Sequence, residues 1–136
     1  MGFVFKEEKL IEKDALKSLY EDVEWFAYTK DLDQLAEALT QSLYVLSAWD
    51  NDELIGLVRV VGDGLTIIYI QDLLVLNSRQ NQGIASELMR GVLDRYRDVR
   101  QKVLLTEEST DVRHFYEKSG FQSCDQGNLV AFAKLG

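Results

Sequence analysis

The residues best suited to chemistry gather where the apolar run Ile70-Gln71-Asp72-Leu73-Leu74-Val75-Leu76 meets a helical pattern, across the polar turn Asn77-Ser78-Arg79-Gln80-Asn81-Gln82-Gly83. A helix entered through such a turn leaves its first N–H groups unsatisfied and pointing outward, and the macrodipole adds partial positive charge there. The result is an anion site, suited to a phosphate or pyrophosphate. Gly83 lets backbone approach a ligand with no Cβ in the way, Ala85 is nearly as small, and Asn81 tolerates the left-handed conformation such turns often need. Arg79 is either a guanidinium for a phosphate or a solvated surface charge. The plain alternative is that Gly83 merely opens a helix. Elsewhere, His114 beside Phe115 reads as surface or packing, Cys124 as a small hydrophobe in a strand, and Glu117 with Lys118 as a solvated helix face. One His and one Cys cannot make a zinc site without several carboxylates, so no metal is expected.

The elements that must position this turn follow from periodicity. Phe3-Val4-Phe5 is a short strand candidate. Asp14 to Tyr20 reads as a helix, and Asp31 to Leu43 as a better one, with Leu32, Leu35, Ala36 and Leu39 recurring behind the capping candidate Asp31. From Tyr44 the period changes. Tyr44 to Trp49, Leu54 to Val61 and Leu65 to Leu76 are β-type runs separated by the turn compositions Asp50-Asn51-Asp52 and Gly62-Asp63-Gly64. A helix follows near Gly83 to Arg97, with Ile84, Leu88, Met89, Val92 and Tyr96 on one face. Val103 to Thr106 is a strand, Asp111 to Ser119 a helix, and Phe121 to Cys124 with Leu129 to Lys134 a closing strand pair. This order implies an α+β layer with helices packed on a mostly antiparallel sheet.

At 136 residues the chain has the size of a single domain, 1–136, and its 46% hydrophobic and 28% charged content is ordinary for a globular protein. No apolar run reaches the roughly 18 residues of a membrane span, so no membrane association is expected. A net charge of -8 argues against nucleic acid, which requires Lys/Arg fields, and mildly favours cationic partners such as amines. The single cysteine and the acidic N-terminus, unlike a signal peptide, fit a reducing, cytoplasmic setting.

Gln80-Asn81-Gln82-Gly83-Ile84-Ala85 matches the Q/R-x-x-G-x-G/A motif of the GNAT superfamily of N-acetyltransferases. His114-Phe115-Tyr116-Glu117-Lys118-Ser119-Gly120-Phe121, about thirty residues on, resembles that family's second motif. The likeness spans Tyr44 to Phe121. Leu19 to Trp25 and Ala48 to Thr66 look, more loosely, like small bacterial relatives of plant chloroplast GNAT enzymes. The resemblance implies a GNAT fold: a mostly antiparallel sheet of about six to seven strands flanked by about four helices.

It also implies site residues. Backbone of the fourth strand, at Leu74, Val75 and Leu76, would hydrogen-bond the pantetheine arm of acetyl-CoA. Amides of Gln80, Asn81, Gln82, Gly83, Ile84 and Ala85, with Ser86 nearby, would hold the pyrophosphate. Tyr116 matches the tyrosine that protonates the departing CoA thiolate. The family often carries Asn seven residues earlier, where this chain has Ser109. An alkyl amine with a pKa near ~10 must lose a proton before attack, so a base is required. Asp72 is the first candidate and Glu107 the second; Asp72 is otherwise a structural carboxylate at a strand irregularity. Trp25 and Tyr28, in an aromatic loop, would line the acceptor cleft or simply pack on the core.

The implied reaction is acetyl transfer from acetyl-CoA to a primary amine, on a small molecule or a protein, by direct attack in a ternary complex. A homodimer is a further expectation of the resemblance. The competing readings are a non-catalytic acyl-CoA-binding or regulatory module and, less favoured, a nucleotide binder. The loop lacks the Lys-Ser/Thr ending of a P-loop.

Overall fold

The β-type runs after Tyr44 form an antiparallel meander in the computed structural model, which describes residues 2–136. The elements in order are β1 (Val4–Glu7), α1 (Lys13–Asp22), the short α2 (Phe26–Thr29), α3 (Leu32–Gln41), β2 (Tyr44–Asp50), β3 (Glu53–Gly62), β4 (Ile67–Val75), α4 (Ile84–Arg95), β5 (Gln101–Leu104) and α5 (Thr110–Lys118). The sheet runs β1-β2-β3-β4-β5, antiparallel throughout except for the parallel pair β4–β5. The mixed α+β class is as expected. No described helix is long and apolar enough to cross a membrane.

Two compact units make up the chain, one extending to Leu105 and the other from Thr106 to Gly136. The core of the first is built on β3, whose residues Leu54 to Val60 are all buried. Continuous burial means that both faces of the strand are covered, since alternate side chains point to opposite sides. On one side α4 packs closely: a Cβ placed on Gly56 would stand 3.1 Å from Ile84 Cγ2 and 3.3 Å from Leu88 Cδ1. Ile84, Leu88, Met89 and Val92 form the buried stripe of α4, at the expected helical spacing. On the other side Leu16, Leu19 and Tyr20 of α1 and Leu35 and Leu39 of α3 are buried. Asp31 caps α3 as anticipated, accepting the Gln34 N–H at 3.0 Å. The turn into β4 is held by Asp63, which accepts the N–H groups of Leu65, Thr66 and Ile67; these backbone bonds hold its carboxyl well below the usual range.

Four expectations need correction. The closing pair Phe121–Cys124 with Leu129–Lys134 does not form, so the sheet has five strands instead of six or seven. In its place Cys124–Gln126 makes a 3-10 turn, and Leu129, Val130 and Phe132 are 70%, 73% and 93% exposed. A two-stranded ribbon is marginal in water without a sheet edge or helix to lie against, so strand-like composition is insufficient there. Cys124 is consequently an exposed thiol and not a buried strand residue. β5 also begins two residues earlier than its composition suggests, because pairing of Ile67–Ile70 with Gln101–Leu104 sets its limits. The aromatic loop Val23–Tyr28 contains a helical turn, α2, that its composition did not announce.

Leu57, fully buried, and Leu65, 79% exposed, make a matched pair of probes. Leu57→Ala is expected to lower unfolding free energy by about 2–5 kcal/mol, and Leu65→Ala by less than about 0.5 kcal/mol, in urea titrations followed by circular dichroism.

Candidate active site

Strand β4 has a half-open edge. It pairs with β3 from Ile68 to Val75, but with β5 only over Ile67–Ile70. From Gln71 onward its other side is free of strand partners among the described residues, which leaves backbone N–H and C=O groups available to an extended ligand. Leu74, Val75 and Leu76 lie on this stretch, their side chains buried. Leu76 N–H closes back on Ile55 O at 2.9 Å, and the chain then makes a 3-10 turn over Asn77–Arg79.

The turn is fastened from two directions. Asn77 donates its backbone N–H to Asp22 Oδ2 at 2.7 Å and its side-chain amide to Asp22 O at 2.8 Å. Gln80 Nε2 donates to Asn77 Oδ1 at 3.1 Å and Val75 O at 3.4 Å. Arg79 is drawn to Asp50 at 2.7 Å and Glu53 at 3.3 Å, with its guanidinium 5.8 Å from the Phe3 ring centroid. Side-chain bonding to Asp50 holds that guanidinium above its ordinary pKa.

Asn81 and Gly83 both adopt left-handed backbone, with φ of 65° and 82°. Gly83 is the N-cap of α4 and no side chain caps the helix. The first-turn N–H groups of Ile84, Ala85 and Ser86 therefore have no intrahelical acceptor. Nothing lies within 4 Å of the position a Gly83 Cβ would take, so the helix start is open on that side. Asn81, Gln82, Gly83 and Ser86 are exposed, as the approach of an anion requires.

Beside the open edge sits a buried charge. Asp72 is 2% exposed and both of its oxygens are engaged. Oδ2 accepts from Tyr20 OH at 2.9 Å and Arg59 Nε at 2.8 Å, and Oδ1 accepts from Tyr28 OH at 2.6 Å. The sheet makes room for this: register shifts between Arg59 and Val60, pairing Arg59 with Asp72 and Val60 with Ile70, so Gln71 is bulged out of the ladder. Gln71 Nε2 in turn donates to Tyr28 OH at 2.9 Å. Burial, then the Asp72 charge, pushes both Tyr20 and Tyr28 above the ordinary phenol value. Burial alone would lower Arg59; the Asp72 charge and hydrogen bond, together with Tyr20 and Tyr28, outweigh it and hold the guanidinium above its ordinary value.

Trp25 and Tyr28 are half-buried and pack with Tyr20, at centroid separations of 6.0 Å for Tyr20–Trp25, 5.2 Å for Tyr20–Tyr28 and 6.2 Å for Trp25–Tyr28. The structure thus gathers Trp25, Tyr28, Asp72 and the β4 backbone within one unit. The loop from Arg79 to Ser86 follows directly from that strand.

Ser109 and Tyr116 belong to the second unit. Ser109 is the N-cap of α5, its hydroxyl accepting the Val112 N–H at 3.4 Å. The helix closes on a Schellman turn: Phe121 N–H bonds Tyr116 O and Gly120 N–H bonds Glu117 O, both at 3.0 Å, with Gly120 at φ 97°. Phe121 then lies against Tyr116, ring centroids 5.9 Å apart. The Tyr-Glu-Lys-Ser-Gly-Phe run is thus a helix stop in physical terms. It fixes the backbone that carries Tyr116, whose half-burial pushes its hydroxyl above the ordinary phenol value.

The acetyltransferase (GNAT) domain family matches residues 7–132. The chain belongs to the GNAT family. A GNAT-family acetyltransferase from Streptococcus pneumoniae TIGR4 is 32% identical over 99% of this chain and 98% of its own, with a TM-score of 0.88. A protein of unknown function from meticillin-resistant Staphylococcus aureus shares the fold at 21% identity, covering 98% and 100% of the two chains with a TM-score of 0.77. AAC(6')-Iy, solved with the bisubstrate analogue CoA-S-monomethyl-acetylneamine, shares it at 14% identity over the whole of both chains, with a TM-score of 0.67. No curated protein matches the chain by sequence.

As a GNAT protein the chain is an acyltransferase. Three site neighbours escaped the sequence reading: Arg59, Tyr20 and Asp22. Arg59 carried one available signal, a lone cation in the otherwise apolar run Leu54–Val61, which demands a buried counter-charge. Tyr20 and Asp22 carried none, since their partners lie 52 and 55 positions away.

Arg59→Met leaves the Asp72 carboxylate buried without its cation. Breaking such a pair costs about 3–5 kcal/mol, and a loss of that size is expected in denaturant titration of this variant. A loss below about 1 kcal/mol would mean that solvent reaches Asp72.

Proposed function

We propose that this GNAT enzyme transfers an acetyl group from acetyl-CoA to a primary amine by direct attack in a ternary complex. The observation that carries the reading is the continuity of the free β4 edge with the uncapped, glycine-opened start of α4. An extended pantetheine amide chain suits the backbone at Leu74, Val75 and Leu76. The pyrophosphate it leads to suits the amides of Gln80 to Ala85 and the N–H and hydroxyl of Ser86. Arg79, shared with Asp50 and Glu53, adds positive charge at the rim of the loop. Ser109 offers its hydroxyl to the cofactor in place of the usual amide side chain. The CoA portion of the AAC(6')-Iy analogue supports the choice of cofactor.

The amine enters against Trp25 and Tyr28, whose aromatic faces attract a cation; both small amines and protein amines suit the chemistry. Once the ammonium has given a proton to solvent, the neutral amine nitrogen bonds to the thioester carbonyl carbon, whose oxygen is polarised by a strand N–H. The C–S bond then breaks with its electron pair on sulfur, and Tyr116 gives the CoA thiolate a proton. Asp72 has no free oxygen to face the amine directly. It acts through Tyr28, whose hydroxyl takes the proton from nitrogen as its own passes to Oδ1. Attack makes that nitrogen acidic, so a weak base suffices. The acidic, cysteine-poor composition fits a cytoplasmic enzyme.

Free-thiol release is expected with acetyl-CoA and at least one member of a panel of polyamines, arylalkylamines, amino acids and lysine peptides. Silence across the panel in a CoA-binding protein would remove these acceptors. Tyr116→Phe is expected to lower kcat by about 10²-fold or more with CoA affinity unchanged. Gly83→Val puts a side chain at the helix start and strains its left-handed backbone. It is expected to weaken CoA about tenfold or more by calorimetry, while leaving pantetheine, which has no pyrophosphate, unaffected.

A further inference from the structure

Two charged side chains are buried among the described residues, Asp72 and Arg59. Both oxygens of Asp72 are engaged, but Arg59 has donors to spare. Its Nε donates to Asp72 at 2.8 Å, and Nη1 reaches Ser42 Oγ only at a long 3.4 Å. Nη2 has no acceptor among the described residues. No fully buried side-chain nitrogen or oxygen among those residues lacks a partner, so Nη2 must reach solvent. Arg59 as a whole is 7% exposed, and what solvent sees of it includes this donor. Asp72 thus neutralises the cation without occupying its Nη1–Nη2 fork, the end of a guanidinium that takes a carboxylate through parallel bonds.

The strand register shows what the fork adjoins. With Gln71 bulged out, Val61 pairs with Tyr69, and these two follow Arg59 and Asp72 on the same face of the sheet. Leu57 and Leu74, before them on that face, are buried, whereas Val61 and Tyr69 are only half-buried. The helical cover therefore thins just beyond Arg59. Tyr28 flanks the guanidinium, its ring centroid 5.8 Å from Arg59 Cζ. The Tyr28 hydroxyl is 2.6 Å from Asp72 Oδ1, and Oδ2 of the same carboxylate takes Arg59. Hydroxyl and guanidinium are held on opposite oxygens of one carboxylate, a separation that a single small molecule spans.

We propose that Arg59 anchors the carboxylate of the acceptor, so that the amine acetylated at this site belongs to a free amino acid. This rests on the transfer reaction and the role of Tyr28 proposed above. The Nη1–Nη2 fork takes the carboxylate, and the amino group lies at the Tyr28 hydroxyl against the rings of Trp25 and Tyr28. A zwitterion meets both demands: its anion supplies the acceptor that the buried guanidinium lacks, and its cation suits the aromatic faces. A simple amine leaves the fork unpaired, and a peptide N-terminus carries no carboxylate close to its amine. Because Asp72 and Arg59 cancel in charge, the anchor acts through short-range hydrogen bonds and not through a cationic field.

The test uses the unaltered protein, acetyl-CoA and the common amino acids, each beside its carboxamide and its decarboxylated amine. The best amino acid should exceed both analogues in kcat/KM by about 30-fold or more, the loss expected when one partner of a desolvated charge pair is removed. The carboxamide has the less basic amine, more of it free at neutral pH, so proton state alone favours the carboxamide. Arg59→Lys keeps a cation for Asp72 and removes the fork; it should shrink the amino acid's advantage by about tenfold and leave the KM for acetyl-CoA unchanged. Calorimetry of the same panel against the protein–CoA complex reads the anchor without turnover, and it holds even if Arg59→Lys fails to fold. Equal use or equal binding of the carboxamide, or binding of neither, would overturn the proposal; thiol release with any amine would still uphold the transfer reaction. Selective binding of an amino acid without thiol release would uphold the anchor and sink the transfer reaction.

Discussion

The buried carboxylate of Asp72 sets the terms for everything around it. A negative charge at the middle of a sheet is tolerable only with a cation and further donors. Meeting that demand recruits Arg59 from β3, Tyr20 from α1 and Tyr28 from α2. Sequence-distant elements are thereby forced to one point. The bulge at Gln71 is part of the same solution, because it lets Asp72 and Arg59 stand opposite each other while β4 continues in register. At the partly exposed end of this cluster the Tyr28 hydroxyl is held between Asp72 and Gln71.

The open edge beyond Ile70 is the second constraint. Parallel pairing between β4 and β5 lasts four residues and then ceases, while β4 runs on to Val75. Unpaired backbone beside a packed core is normally a liability. Here it leads into the start of α4, where left-handed Asn81 and Gly83 turn the chain so that free amides face outward. Asp22 fastens Asn77 in this turn, so the position of the loop depends on the end of α1. The same first unit leaves β5 open and the second unit leaves its apolar tail uncovered.

Local rules read much of this correctly. The meander, the stripe of α4, the Asp31 cap and the left-handed tolerance of Asn81 each depend on neighbours within a few residues, and each appears where composition and spacing put it. The Tyr116 to Phe121 run was legible as a family motif, but its physical content, a Schellman stop that seats Phe121 against Tyr116, needed coordinates. The closing strand pair failed for the opposite reason. Leu129 to Lys134 has strand composition, yet a strand exists only where an edge accepts it, and composition carries no information about edges.

By itself the sequence determined the class of fold, the family motifs and the polar, glycine-opened turn from Arg79 to Ser86 that leads into a helix, because these follow from short-range periodicity, capping and backbone preference. Tertiary structure alone decided what Asp72 can do. Its oxygens are occupied by Arg59, Tyr20 and Tyr28, partners brought from 13, 52 and 44 positions away. What a carboxylate can reach depends on what surrounds it in space, and no local pattern around Asp72 encodes that surrounding.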